Sequence, residues 1–167
     1  MVSILRSKVP TASDVCAQYP TACSGKQVLI TGASSGIGFE AALALARAGA
    51  HVTVGVRNPE KMQKMLDDHK ASDVKMEILK LDLASFKSVR AFAETYKAAH
   101  TTTDYLILNA GAGSTTFHAT EDGYESTFQA CHLSHHLLAR LLEYTLHEGS
   151  RVVVVACASF LASVWQR

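Results

Sequence analysis

Short apolar runs alternate with amphipathic stretches along most of this chain, and that alternation predicts its elements. QVLIT at 27–31 is an apolar run closed by Gly32, the pattern of a buried strand. GFEAALALARAGA at 38–50 is rich in Ala and Leu at helical spacing and meets a stop signal at Gly49. HVTVGV at 51–56 predicts a second strand. Pro59 sits where a helix can start, and EKMQKMLDDHK continues it, with Met62 and Met65 read as helix packing. VKMEILKLDL at 74–83 predicts a third strand, SFKSVRAFAETYKAA at 85–99 a third helix, and DYLILNAG at 104–111 a fourth strand. The stretch 120–147 carries apolar residues at 128, 133, 137, 138, 141, 142 and 146 and predicts one long helix. RVVVVA at 151–156 predicts a fifth strand.

Strands alternating with helices at this spacing imply the α/β class. The expected architecture is a doubly wound parallel sheet, Rossmann-like, of about five strands with helices on both faces. Runs such as VVVV suit strands buried on both sides. Residues 1–24 hold two of the three prolines and show no clear period. They read as an N-terminal extension draped over a domain formed by residues 25–167.

Composition narrows the class little further. The chain has 167 residues, enough for one domain, and a formal net charge of +1. No charge excess argues for a nucleic-acid partner, and no basic stripe argues for a membrane surface. The opening MVSILRSKVPTASD holds an apolar run far shorter than a signal-peptide core, and no later stretch reaches spanning length. The expectation is a cytoplasmic chain without a transmembrane segment, peripheral membrane association being left open. Cys16, Cys23, Cys131 and Cys157 form no CxxC pair and read as free thiols in a reducing compartment.

The chemistry concentrates in TGASSGIG at 31–38. Gly32 follows a strand and permits a tight turn. Gly36 lacks a side chain, so a pyrophosphate can approach the backbone. Gly38 lets the following helix pack near the sheet. Free amides and the helix dipole then favour phosphate charge, and Ser34 and Ser35 can add hydroxyl donors. The spacing is GxxxGxG, which differs from the classical GxGxxG fingerprint, and no GKS or GKT ending marks an ATP-type loop. A purely structural glycine turn is the alternative reading. The second strand runs into Arg57, about 20 residues past the turn, where the general dinucleotide pattern places an acidic ribose contact. A guanidinium there suits a 2′-phosphate, which favours NADP(H) over NAD(H); a plain surface arginine is the alternative.

TGASSGIG, LDL at 81–83, LNAG at 108–111 and RVVVVA, in that order, resemble the short-chain dehydrogenase/reductase family. DGYESTFQACHLSHHLL at 122–138 and the TASDV that precedes SGK are similar to its retinol-dehydrogenase-like and WW-domain-oxidoreductase-like members. The resemblance implies roles by position. Gly32, Ser34, Ser35, Gly36, Ile37 and Gly38 would line the pyrophosphate, and Arg57 would meet the 2′-phosphate. Asp82 and Leu83 would flank the adenine. Asn109, Ala110 and Gly111 would run beside the ribose and stabilise the central sheet. The implied reaction is hydride transfer between a nicotinamide and a carbonyl or alcohol carbon of a small molecule, retinoid-like or lipid-like. A tyrosine serves there as acid/base, with a lysine, a serine and an asparagine in support.

The sequence departs from that catalytic set. The family asparagine aligns with Cys131 and the family serine with Cys157. Tyr19, Tyr96, Tyr105, Tyr124 and Tyr144 all lack a lysine four positions on, so no YxxxK occurs within the chain. A thiol is a weak donor and replaces neither partner cleanly. The sequence therefore reads as truncated before that motif, with no intact catalytic residue, the C-terminal part of the fold missing and RVVVVA an exposed edge. Two further readings follow: a catalytically dead nucleotide-binding or interaction protein that joins a full-length relative, as a homo- or hetero-oligomer, and a chain with no stable fold of its own. His132, His135 and His136 in HLSHH lack the HExxH glutamate and a third ligand, and read as partly buried or surface histidines with no metal site. Cys157 reads as a buried inert cysteine, with a reactive thiol as the alternative.

Overall fold

A computed structural model describes residues 9–71, 73–114 and 116–156. Its centre is a five-stranded parallel sheet in the order β3-β2-β1-β4-β5. The strands are β1 (Gln27–Thr31), β2 (His51–Val56), β3 (Met76–Lys80), β4 (Thr103–Leu108) and β5 (Leu146–Val154). The order reverses between β1 and β4. That switch point opens a crevice at the carboxyl ends of those strands.

Strand periodicity of two divides the core into two layers. Val28 and Ile30 of β1 face one side of the sheet, with Phe39, Ala42 and Leu43 of α3 (Gly36–Arg47) and Met62 and Leu66 of α4 (Pro59–Asp68). Leu29 faces the other, with Val89, Phe92 and Tyr96 of α5 (Phe86–Ala99) and Leu138 of α7 (Ser134–Leu141). The doubly wound, Rossmann-like α/β class expected from the alternation is the class observed. β5 lies at the edge of the described sheet, and Val152–Val155 are 44–64% exposed.

Residues 9–24, which show no clear period, carry two short elements, α1 (Ala12–Gln18) and α2 (Pro20–Cys23). Thr11 and Asp14 form a reciprocal capping box at the start of α1, and α1 packs on α3. No residue of α1 is fully buried, so no hydrophobic period announces it. Cys23 Sγ donates across 3.8 Å to Cys16 Sγ within this segment, and both thiols are free.

The single helix expected over 120–147 is several elements. Residues 120–125 form a turn closed by an Ala119–Glu125 bridge, with Gly123 at φ +83°. The Glu125 carboxylate then caps α6 (Ser126–Phe128) by accepting from the Thr127 and Phe128 N–H groups. A π-helical turn follows at Gln129–Leu133, where the Ser134 N–H donates to the Gln129 carbonyl five residues back. After α7, a 3₁₀ turn at Glu143–Thr145 leads directly into β5 at Leu146. β5 thus begins earlier than the expected 151–156, entering through a register shift opposite Thr103 and Tyr105.

Candidate cofactor site

The crevice at the switch point is a cleft of about 340 Å³. β1 delivers the glycine turn to its floor. The Gly32 N–H donates to the Gly55 carbonyl at 2.9 Å, tying the turn to β2. Gly32 has φ +72°, and a Cβ there would sit 2.5 Å from Ala110 Cα. Gly36, at φ +58°, has nothing within 4 Å of where a Cβ would stand, so it faces open space. A Cβ on Gly38 would run into Asn109 Nδ2 and the Gly32 carbonyl, so that glycine serves helix packing. Ser35 is the N-cap residue of α3, yet no side-chain oxygen caps that helix. Its first-turn amides are therefore available to an anion at the positive end of the helix dipole.

The structure brings Gly32, Ser34, Arg57, Asp82, Leu83, Ala110 and Gly111 together around the cleft. Ser35, Gly36, Ile37 and Gly38 lie along the turn beside it and do not line it; Ile37 is 78% exposed. Asn109 also stays out of the lining. Its amide turns inward, donating to the Thr31 carbonyl at 2.9 Å and the Gly32 carbonyl at 3.2 Å. It braces the glycine turn against β4. Asp82 lines the cleft while one carboxylate oxygen accepts the Ala84 N–H at 2.9 Å. Cys157 falls outside the described residues.

Cys131 sits in the π turn, against the loop that follows β4. Its Sγ accepts the Ala112 N–H at 3.4 Å and donates to the Ala112 carbonyl at 3.3 Å. Of the three clustered histidines, His135 is buried, His132 stacks on Phe128 at 5.4 Å and His136 is exposed. Among the described residues no three His, Cys, Asp or Glu side chains gather as metal ligands.

Several cleft residues escaped the sequence reading. Lys61 lines the cleft beside Arg57 and Asn58. Asn58 caps α4 by accepting the Lys61 N–H at 3.0 Å, which places Lys61 in the first turn. Helical side chains lean toward the N-terminus, so a lysine there reaches back over the end of β2. Pro59 carried that signal in the sequence. Neither Arg57 nor Lys61 forms an ion pair among the described residues. Gly55, too, went unremarked; a Cβ there would meet Leu81 at 2.8 Å. Ser134 donates to the Leu83 carbonyl at 2.6 Å, and Thr31 meets His135 across 2.9 Å.

A glycine turn between the first strand and helix of a doubly wound sheet, with two cations at the end of the second strand that form no ion pair among the described residues, is the architecture of a dinucleotide-binding fold. The sequence profile described as short chain dehydrogenase matches residues 26–165, and the chain belongs to that family. It is 46% identical over 140 residues to the WW domain-containing oxidoreductase of Danio rerio, a match covering 81% of this chain and 34% of that protein. It is 41% identical over 137 residues to retinol dehydrogenase 12 of Mus musculus, covering 81% of this chain and 43% of the other. The structure superposes on a metagenomic short-chain oxidoreductase in complex with NADP with a TM-score of 0.61 at 29% identity, covering 72% of this chain and 56% of that one. The chain thus spans about a third of the length of the first relative and under half of the second.

Proposed function

We propose that the cleft binds NADP(H) in preference to NAD(H), as the cofactor site of a carbonyl or alcohol oxidoreductase. The observation that carries this reading is the pair Arg57 and Lys61, unpaired with any carboxylate among the described residues and facing the cleft from the end of β2. Two cations there suit a 2′-phosphate dianion and leave a bare ribose hydroxyl without an acidic acceptor on that side. The open space before Gly36 and the uncapped amides of α3 suit the pyrophosphate. The NADP-bound relative, with the same fold, supports the assignment. When bound, the nicotinamide supplies the hydride that reduces a carbonyl carbon, and takes it back from an alcohol.

These 167 residues contain no Tyr-x-x-x-Lys pair, and Cys131 stands at the family asparagine. A cysteine has no side-chain amide to offer a proton relay, and the Cys131 thiol is engaged with the Ala112 backbone. Negligible turnover by this chain alone is the expected outcome, because losing general acid–base catalysis costs about a hundred- to ten-thousand-fold. The reading carries a cytoplasmic location; among the described residues no helix is long and apolar enough to cross a membrane. A second reading, in which the chain joins a longer relative, is favoured by the exposed valines on the β5 edge.

Fluorescence titration of the purified chain with NADPH and with NADH tests the cofactor reading. Binding of NADPH at least tenfold tighter supports it, and equal or tighter NADH binding overturns it. Carbonyl-dependent NADPH oxidation above the buffer rate, with retinal or a long-chain aldehyde, overturns the low-turnover part. Co-purification with a full-length relative supports the second reading.

A further inference from the structure

His135 is buried against the sheet, and no step above uses it. Its ring links α7 to the end of β1. Nε2 lies 2.9 Å from Thr31 Oγ1, and Nδ1 lies 3.2 Å from the Cys131 carbonyl oxygen one turn earlier. The partners fix the protons. Thr31 Oγ1 accepts the N–H groups of both Asn109 and Ala110, each at 3.0 Å. Those bonds occupy its two lone pairs, so its single proton goes to His135 Nε2. Nε2 is therefore an acceptor. The Cys131 oxygen can only accept, so Nδ1 carries the ring N–H. The imidazole is held neutral, in the Nδ1–H tautomer. Burial acts in the same direction, keeping the ring's pKa below the ordinary 6.5 against a smaller opposing pull from the Cys131 carbonyl.

We infer that His135 is a positioning residue: by taking the Thr31 hydroxyl proton it aims that oxygen at the Asn109 and Ala110 amides, and so sets the β4 loop at the spacing from the glycine turn that the cofactor cleft requires. Tolerance at that contact is small, since the Gly32 Cα hydrogen already faces the Ala110 backbone at close quarters. The segment around His135 is suited to such a task. Cys131 reaches Ala112, Ser134 reaches Leu83 and His135 reaches Thr31, so residues 131–135 touch the chain at the ends of β4, β3 and β1, three of the segments that border the cleft. The π turn at Gln129–Leu133 starts this segment, a local irregularity of the kind found at functional sites. This inference rests on the reading of the cleft as a cofactor site.

The test uses the whole chain, labelled with ¹⁵N, as wild type, His135→Leu and His135→Gln. A glutamine side-chain oxygen can still accept the Thr31 proton; leucine cannot. Two-bond ¹H–¹⁵N correlation near neutral pH is expected to show the His135 ring, identified by its absence from both variants, with protonated Nδ1 and bare Nε2. An Nε2–H tautomer at His135 overturns the inference. Amide hydrogen exchange at Asn109 and Ala110 is expected to quicken about tenfold or more in His135→Leu and to return near wild type in His135→Gln. NADPH affinity is expected to follow the same order. Exchange and affinity unchanged in His135→Leu, or equally disturbed in both variants, overturn the positioning role. Should His135→Leu fail to fold, His135→Met replaces it, and the tautomer signal of the wild type remains decisive. If the wild type binds neither NADPH nor NADH while the exchange pattern holds, the cofactor reading fails and the hydrogen-bond assignment stands.

Discussion

Gly32 and Ala110 approach so closely that a methyl on Gly32 would lie 2.5 Å from the Ala110 Cα and 2.7 Å from its Cβ. Real Cβ atoms do not come that near to backbone, so one strand end must move. The φ of +72° adds left-handed strain of about 1–2 kcal/mol for any side chain. Gly32→Ala is therefore expected to lose at least about 3 kcal/mol, the sum of strain and displacement. Chemical denaturation of wild type and variant measures it. A loss within about 0.5 kcal/mol would show that the β1 and β4 ends are free to part.

Gly36 gives the complementary case. It also has positive φ, at +58°, but nothing lies within 4 Å of its missing Cβ. Gly36→Ala is expected to cost only the backbone strain, about 1–2 kcal/mol, and to fold normally. In the proposed cofactor site, a methyl in that open space would stand in the path of the pyrophosphate. NADPH affinity is expected to fall by much more than stability does, about tenfold or beyond. Parallel titration and melting curves separate the two effects.

The contrast between these glycines bears on what the chain discloses in advance. β1 and β2 are found at the residues their apolar runs mark, because Gly32 closes the first run and Arg57 with Pro59 closes the second. The turn and packing roles of Gly32 and Gly38 were legible because φ and close approach are local demands. The 120–147 stretch misled because apolar residues from 128 to 146 keep helical spacing through the π turn and past the end of α7. The start at Glu125 and the break at Thr145 are made by hydrogen bonds of single side chains, the Glu125 cap and the Thr145 hydroxyl on the Leu142 carbonyl. Lys61 was recoverable from Pro59. His135 and Thr31 were not, since they stand 104 positions apart and only the sheet joins them. The resemblance placed Asn109 beside the ribose and in support of the central sheet; its amide does brace the end of β1 against β4, and the side chain stays out of the cleft lining.

Arg57 and Lys61 make a prediction about selectivity. Each is expected to form a charge-assisted bond to a 2′-phosphate and none to a free hydroxyl. Arg57→Ala and Lys61→Ala should each weaken NADPH binding by about tenfold, corresponding to roughly 1.5 kcal/mol, and leave NADH binding within about twofold. Titration with both nucleotides reads this directly. A uniform fall for both nucleotides would assign the two cations to the shared pyrophosphate.

A hydroxyl ladder crosses the second core layer. Tyr96 Oη lies 2.9 Å from Thr103 Oγ1, which lies 2.9 Å from Thr145 Oγ1, which donates to the Leu142 carbonyl at 2.7 Å. The carbonyl can only accept, so every proton points along the chain from Tyr96 to Leu142. Tyr96→Phe removes the first donor and leaves Thr103 still donating; it should cost about 1 kcal/mol. Thr103→Val breaks two links and strands the buried Tyr96 hydroxyl, so about 2–3 kcal/mol is expected. Denaturant melts give the order. Tyr96→Phe costing more than Thr103→Val would refute the proton direction.

At the opposite end of the sheet Asp104 joins the start of β4 to the start of β1. It accepts from Lys26 Nζ at 2.9 Å and from the Gln27 N–H at 2.8 Å, with His147 Nε2 at 3.4 Å. Burial opposes its ionisation, but these partners outweigh that and hold its pKa below the ordinary 3.8. A carboxylate whose folded pKa is depressed adds stability above its unfolded value and loses it as pH falls through the folded value. Asp104→Asn keeps an acceptor for Gln27 and loses the charge facing Lys26. The variant should melt below the wild type at neutral pH, and the two curves should converge as pH drops below 3.8. A gap between them that stays constant down to the acid limit would assign the contribution of Asp104 to shape and not to charge.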